Sequence, residues 1–293
     1  MEILFSIIVP TYNRGHLLPA LLESFTVQRY SNFELIVVDD GGSDNTQNVV
    51  EQYADPRFRY TYKENGERGA ARNCGMQMAK GDYINFFDSD DIAFDNHLSI
   101  AIEVIRLHNR PPFFYTGFEV RSPDGKVLSL KDDFKGNAEE ECIKKKRVSI
   151  NSLFVRRDIA LEHPFSEIRA LSASEDALFL CQIACRYPAR CDKTPTTAVI
   201  EHDQRSMTTA KENQILDRKK ILIQQLNNDE VFMSKHSHLL PYIEGEFNYM
   251  LTLSCLINKN KGGAFKYFLS FIRKNPSGLF SKRLPVFLRW ILK

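Results

Sequence analysis

Within the first 110 residues, short apolar runs alternate with amphipathic stripes, and that alternation leaves few folds open. Phe5 to Val9, Leu35 to Val38, Arg59 to Lys63 and Asp82 to Phe87 read as four strands. Helical patterns separate them: Leu17, Leu18, Leu21, Leu22 and Phe25 on the first, Val49, Val50 and Tyr53 on the second, and Gly69 to Ala79 as the third. Ser43 or Asp44 is placed to cap the second, and Asp95 to cap a fourth with Leu98, Ala101, Ile102 and Ile105 on one face. Such repetition builds a mostly parallel, doubly wound α/β sheet, which binds ligands beyond the carboxyl ends of its strands. Polar and charged clusters fall at those ends.

The fourth strand ends most abruptly. Tyr83-Ile84-Asn85-Phe86-Phe87 stops at Asp88-Ser89-Asp90-Asp91, which sets three carboxylates in four positions. On an extended chain Asp88 and Asp90 point one way, Ser89 and Asp91 the other. Paired oxygen donors suit a hard divalent cation completed by water and by substrate phosphates, so a nucleotide diphosphate is the natural third party. The plainer alternative is an acidic turn capping the next helix. Neither G-x-G-x-x-G at the first strand-helix turn nor G-x-x-x-x-G-K-[ST] is present, which removes the main support for a dehydrogenase or a P-loop protein.

A chain of 293 residues can bury a substantial core. No apolar run approaches the roughly 20 residues of a spanning helix, and Met1-Glu2-Ile3-Leu4-Phe5 leads into a strand without a basic leader, so a cytoplasmic protein is expected. Six cysteines are scattered through it, where reduced thiols are the default. Cys181, Cys185 and Cys191 admit a zinc reading, but Leu178, Cys181 and Cys185 share one apolar helical face and read better as buried small hydrophobes. The net charge of +2 hides a division: from Lys259 onward there are nine basic residues and no acid. Removing those nine from 39 basic against 37 acidic residues leaves 30 against 37, so the first 258 residues carry −7 and the tail +9.

Five segments in register carry a resemblance: Val9-Pro10-Thr11-Tyr12-Asn13-Arg14, Val37-Val38-Asp39-Asp40-Gly41-Gly42-Ser43-Asp44, Gly69-Ala70-Ala71-Arg72-Asn73-Cys74-Gly75, Lys80-Gly81-Asp82-Tyr83-Ile84 and the acid tetrad. In order and spacing they resemble the inverting family 2 glycosyltransferases, densely over 5–110 and more thinly to about 210. The resemblance implies a glycosyltransferase-A fold, a Rossmann-like, mostly parallel sheet flanked by helices. It also implies transfer of a sugar from a nucleotide donor, a UDP-sugar by expectation, to an acceptor hydroxyl in surface polysaccharide or other glycan assembly. A nucleotide-sugar-binding subunit without turnover, acting in a glycan-assembly complex, is the alternative from another class.

The same resemblance assigns roles. Pro10, Thr11 and Tyr12 would line the base pocket, Asp39 would accept from the uracil N–H, and Arg72 would lie near base and phosphates, where a guanidinium makes paired bonds. Arg14, Asp88 and Ser89 complete the implied nucleotide contacts. Asp90 matches the metal-binding acid and Asp88 its ribose- or metal-side partner, with Mn²⁺ or Mg²⁺ as the cofactor. His202 falls in the segment that closes over the pyrophosphate, as a metal ligand, a phosphate contact or a structural histidine. Asp176, in Ser174-Glu175-Asp176-Ala177, matches the catalytic base, while Glu175 has a second possible task in a capping box with Ser172. Glu67-Arg68-Gly69 stands where the family often has small residues.

Beyond residue 110, strands are expected near Phe114 to Glu119, Lys126 to Leu130, Ser149 to Val155 and Thr196 to Glu201, with a helix from Glu175 to Arg186. The expected organisation is a catalytic domain over 1–210, with a nucleotide-binding half at 1–110 and an acceptor-side half at 111–210, followed by a helical, basic extension over 211–293. In that extension Lys282, Arg289 and Lys293 share one stripe with apolar residues and the single tryptophan around them. This suits a helix lying on an anionic membrane surface, and equally one packed on its own domain or a partner subunit. The expected partners are the UDP-sugar and a glycan or lipid-linked acceptor, with no nucleic acid and with homo-oligomerisation left open.

Overall fold

A computed structural model of the chain describes residues 2–132, 137–144, 148–201, 211–281 and 283–291. The chain divides into two compact units, Met1–His202 and Asp203–Lys293. In the first, β1 (Phe5–Thr11), β2 (Phe33–Asp39), β3 (Phe58–Tyr62) and β4 (Tyr83–Phe86) run parallel in the spatial order β3-β2-β1-β4. Helices α1 (Leu18–Thr26), α2 (Thr46–Glu51) and α3 (Glu67–Met78) make the crossovers. Then follow β5 (Ile92–Ala93), α4 (His97–Leu107), β6 (Phe113–Arg121), β7 (Val127–Lys131), α5 (Ala138–Lys144), β8 (Leu153–Arg156), α6 (Arg157–Glu162), α7 (Glu175–Ala184) and β9 (Ala189–Ile200). The sheet continues β4-β8-β6-β9-β5, with β8 antiparallel to both neighbours and β7 alongside β6.

Every residue of β1 is buried because helices cover both faces of the sheet, which is why the strand reads as an unbroken apolar run. Phe5, Ile7 and Val9 share a core with Leu21 and Phe25 of α1 and with Leu98 and Ile102 of α4. On the opposite face α3 lies so close that a Cβ at Gly75 would press into Ile8. Phe165 stacks on Phe179 of α7 with centroids 4.2 Å apart, and Phe86 of β4 meets Phe165 edge-on at 4.8 Å. These three rings tie α7 to the strand that carries the acids.

Several local expectations change. Asp95 does not cap α4: the residue before the helix is Asn96, with no side-chain cap bond, and Asp95 pairs with Arg29 at the surface. The strand expected from Ser149 begins at Leu153, because the Ser149 hydroxyl accepts from the Asn151 amide and winds Ile150–Ser152 into a 3₁₀ turn. β9 begins seven residues before Thr196, and its irregular pairing around Gly117 and Pro195 explains why its polar first half lacks a strand pattern.

In the second unit α8 (Glu212–Asn228), α9 (Glu230–His236), α10 (Leu240–Ile257), α11 (Lys261–Lys274) and α12 (Arg283–Ile291) follow one another. Among the described residues, no helix is long and apolar enough to cross a membrane.

Candidate active site at the carboxyl ends of the parallel strands

The ends of β1, β2 and β3 are in register: Thr11 lies beside Asp39, and Asp39 beside Tyr62. Asp39 is sealed from solvent, its Oδ1 accepting from the Gly42 amide at 2.8 Å and its Oδ2 from the Tyr60 hydroxyl at 2.9 Å. Burial, reinforced by the Asp39 carboxylate, pushes the Tyr60 hydroxyl up to about 12. The turn that delivers the amide needs its glycines, because Gly41 adopts φ +84° and a Cβ on Gly42 would lie 2.6 Å from Asp39 Oδ1. Thr11 is buried and its Oγ1 has no hydrogen-bond partner among the described residues. A sealed, unpaired hydroxyl is costly unless something else completes it. Pro10 lies within buried β1, whereas Tyr12, just past its end, is 51% exposed.

The acid tetrad is a tight turn, with the Asp91 amide donating to the Asp88 carbonyl at 3.2 Å. The alternation expected of an extended chain is therefore lost, and Asp88, Asp90 and Asp91 bring carboxylate oxygens within 4.8 Å of one another. Asn151 locks the turn: its Oδ1 accepts from the Asp88 amide at 2.9 Å and its Nδ2 donates to Asp91 Oδ2 at 2.6 Å. Asp91 Oδ1 accepts from the Ile200 amide, so this acid joins β4 to β9. Ser89 is buried in the turn. Arg14 reaches over from the β1 loop and donates to Asp90 Oδ2 at 2.9 Å.

Arg72 sits at the centre of the site and is only 2% exposed. Its Nη1 donates to Glu175 Oε1 at 2.6 Å and its Nη2 to Asp88 Oδ1 at 2.9 Å. Burial opposes the charge, but the carboxylates of Glu175, Asp88 and Asp176 outweigh it and hold the guanidinium above its ordinary pKa. Where the resemblance implied an arginine beside base and phosphates, the side chain is committed to two acids.

The capping box of Ser172 and Glu175 does not form. Ser172 Oγ donates instead to Glu67 Oε2 at 2.9 Å, and Glu175 turns inward to Arg72. Ala173, at φ +69°, makes the bend that allows this, and Ser174 precedes α7 without a side-chain cap bond. Asp176 is half-buried in the first turn, one of its oxygens accepting from the Ala177 amide. Helix α3 holds the approach to α7 at several points. Asn73 bonds both the amide and the carbonyl of Phe165, Glu67 pairs with Arg169, and a Cβ on Gly69 would collide with the Ser166 carbonyl.

Asn151 and Glu67 are the site-building residues that sequence reasoning missed. Asn151 lies in an irregular stretch 60 and 63 residues from Asp91 and Asp88 and gives no local signal; Glu67 was visible only as a departure from the family pattern. His202 lies outside the described residues.

A Rossmann-like sheet whose parallel strands end in a sealed polar step and an acid turn, followed by antiparallel additions, has the glycosyltransferase-A type of architecture. Residues 6–151 match the model of "Glycosyl transferase family 2", and the chain belongs to that family. It is 35% identical over 169 residues to UDP-Glc:alpha-D-GlcNAc-diphosphoundecaprenol beta-1,3-glucosyltransferase WfgD of Escherichia coli, which covers 56% of this chain and 64% of that protein. The chain thus spans less than two thirds of that relative, and between 18% and 38% of the length of others. Among solved structures it resembles S. aureus TarS 1–349 in complex with UDP-GlcNAc, with TM-score 0.64 and 18% identity over 94% of this chain and 92% of that one. It also resembles the mannosyltransferase PcManGT from Pyrobaculum calidifontis in complex with GDP-Man and Mn²⁺, with TM-score 0.54 and 18% identity over 94% and 86%.

Proposed function

We propose that the protein is an inverting, metal-assisted glycosyltransferase that moves a sugar from a UDP-sugar to a hydroxyl of a glycan or lipid-linked acceptor. The observation that carries this reading is the buried Arg72 guanidinium, which links the acid turn after β4 to the first residues of α7. One end suits a nucleotide diphosphate and the other supplies a carboxylate for the acceptor.

A uracil ring offers an N–H and carbonyl oxygens, which suit the Asp39 carboxylate and the partnerless Thr11 hydroxyl beside it. The UDP-sugars in the names of the WfgD and TarS relatives agree with that preference. Tyr12 offers a ring face for stacking, and Pro10, Arg14 and Ser89 complete the nucleotide contacts. Asp88 and Asp90 would hold Mn²⁺ or Mg²⁺. The fit rests on an all-oxygen donor set gathered within 4.8 Å and on an Asp88 side chain that is 30% exposed. Bound there, such a cation supplies Lewis-acid neutralisation of the departing diphosphate. Asp91 is spent on Asn151 and Ile200 and acts as the turn's anchor. His202 would add a ligand or a phosphate contact.

Inversion is one in-line displacement. Asp176 takes the acceptor hydroxyl's proton as that oxygen bonds the anomeric carbon, while the anomeric carbon–oxygen bond breaks and its electron pair leaves with UDP. Glu175 does not share this task, because its carboxylate neutralises Arg72.

The test is nucleotide release from a panel of UDP-Glc, UDP-Gal, UDP-GlcNAc and GDP-Man, with Mn²⁺ or with EDTA, followed by NMR of the product linkage. Release of UDP that EDTA abolishes, with a β product from an α donor, is expected. A preference for GDP-Man, insensitivity to EDTA, or retention at the anomeric carbon would contradict the reading.

A further inference from the structure

Helix α11 has two unlike sides. Ala264, Phe268 and Phe271 are buried within its own unit, and Phe287 of α12 stacks on Phe268 with centroids 3.9 Å apart and planes 2° from parallel. One half of the basic tail is therefore a packing element. On the other side Lys261, Phe265, Leu269 and Arg273 follow at four-residue steps and all are exposed. Each step turns a helix about 40°, so Phe265 and Leu269 form a strip with Lys261 on one flank and Arg273, joined by Lys266, on the other. Two of the stripe residues named from sequence, Lys282 and Lys293, lie outside the described residues.

The exposed apolar surface continues onto α12. The ring centroids of Phe265 and the buried Phe287 lie 6.4 Å apart, and α12 leaves Val286 and Trp290, four residues apart on one side, exposed, Trp290 at 48%. Phe280, in the turn before α12, is 94% exposed. The charges are also unspent. Lys274 and Arg283 are neutralised by Glu244 and Glu246, whereas among the described residues Lys261, Lys266, Arg273 and Arg289 have no carboxylate within ion-pair distance. No acid occurs after Lys259 in the sequence.

We infer that this face of α11 and α12 docks on an anionic lipid surface, with Phe265, Leu269 and Trp290 entering the interface and the cations facing the headgroups. Apolar residues flanked by lysine and arginine are what an interfacial helix requires, and tryptophan favours the headgroup level. A second copy of this chain is a poorer occupant, because two identical cationic faces repel each other when apposed.

Trp290 is the only tryptophan, so its fluorescence reports on this face alone. The experiment mixes the full chain with vesicles of phosphatidylcholine alone and of phosphatidylcholine with phosphatidylglycerol, at low and high salt, reading co-sedimentation and the tryptophan emission maximum. Binding to the anionic vesicles only, with a blue shift, weakened but not abolished by salt, is expected. The triple variant K261E/K266E/R273E, which reverses three charges, should lose at least about 100-fold in partitioning. F265S/L269S keeps every charge and should lose the salt-resistant part, and circular dichroism checks that both variants are folded. Absence of binding, equal binding to neutral vesicles, or binding that high salt removes wholly without a tryptophan shift would overturn the inference. So would a blue shift that grows with protein concentration in the absence of lipid, which would assign the face to a second copy.

Discussion

Arg72 and Glu175, 103 residues apart in sequence, are joined by a 2.6 Å bond between Nη1 and Oε1, and both side chains are at least 97% buried. The same guanidinium reaches Asp88, so the acid turn and the start of α7 share one cation. Removing one partner of a buried pair strands the other charge, which costs about 3–5 kcal/mol. We expect R72M to lower the denaturant midpoint accordingly and to weaken catalysis with it. R72K should fail to restore either, because an ammonium cannot span two carboxylates as a planar fork does. Full stability in R72M would mean that the pair does not hold the site together.

Thr11→Val addresses the sealed hydroxyl. In the ligand-free protein the unpaired Oγ1 is a liability, so the isosteric valine should leave stability unchanged or slightly raised. If the hydroxyl bonds the base, UDP affinity should fall about tenfold, the worth of about 1.4 kcal/mol. Calorimetric titration with UDP reads the two effects separately; unchanged affinity would remove Thr11 from the base pocket.

Asp90→Asn should cut turnover by about two orders of magnitude or more and abolish stimulation by Mn²⁺, leaving the melting temperature near that of the parent, because Asp90 lies in a turn and not in the apolar core. Turnover that persists and still responds to the metal would exclude Asp90 as a ligand.

The strand alternation and the acid cluster were legible because each is local: β1 to β4 fall where the apolar runs are, and the α4 stripe faces the core as its spacing requires. What escaped was set by distant partners. Asp95 and Ser172 each suit a helix cap, but Arg29 and Glu67 offer charged partners that win. The tetrad reads as an extended run until Asn151, from another part of the chain, closes it into a turn. The sequence places Arg72 near the nucleotide, and gives no sign that the side chain is also buried between Asp88 and Glu175.

His97 predicts how stability depends on pH. It is fully buried between Thr196 Oγ1 and Asn85 Oδ1, and burial holds its pKa down to about 3 from an ordinary 6.5. The unfolded chain therefore binds a proton that the folded protein refuses. The contribution is fully present above pH 6.5 and is lost progressively as pH falls from 6.5 towards 3, by at most about 1.4 kcal/mol per pH unit. Urea midpoints measured from pH 7 to pH 4 should show this slope on top of that from the carboxylates, and His97→Gln should flatten it; an identical slope in the variant would contradict the assignment.

In the proposed reading the Glu175-Asp176 pair divides its labour, with Asp176 as the base and Glu175 as the counter-ion of Arg72. Parallel measurement of turnover, donor affinity and melting temperature in D176N and E175Q tests it most directly. D176N should lose turnover by about 10²–10⁴-fold while donor affinity and melting temperature stay near those of the parent. E175Q should lower the melting temperature and reduce turnover less. Retained turnover in D176N, or a larger catalytic loss in a stably folded E175Q, would contradict the account.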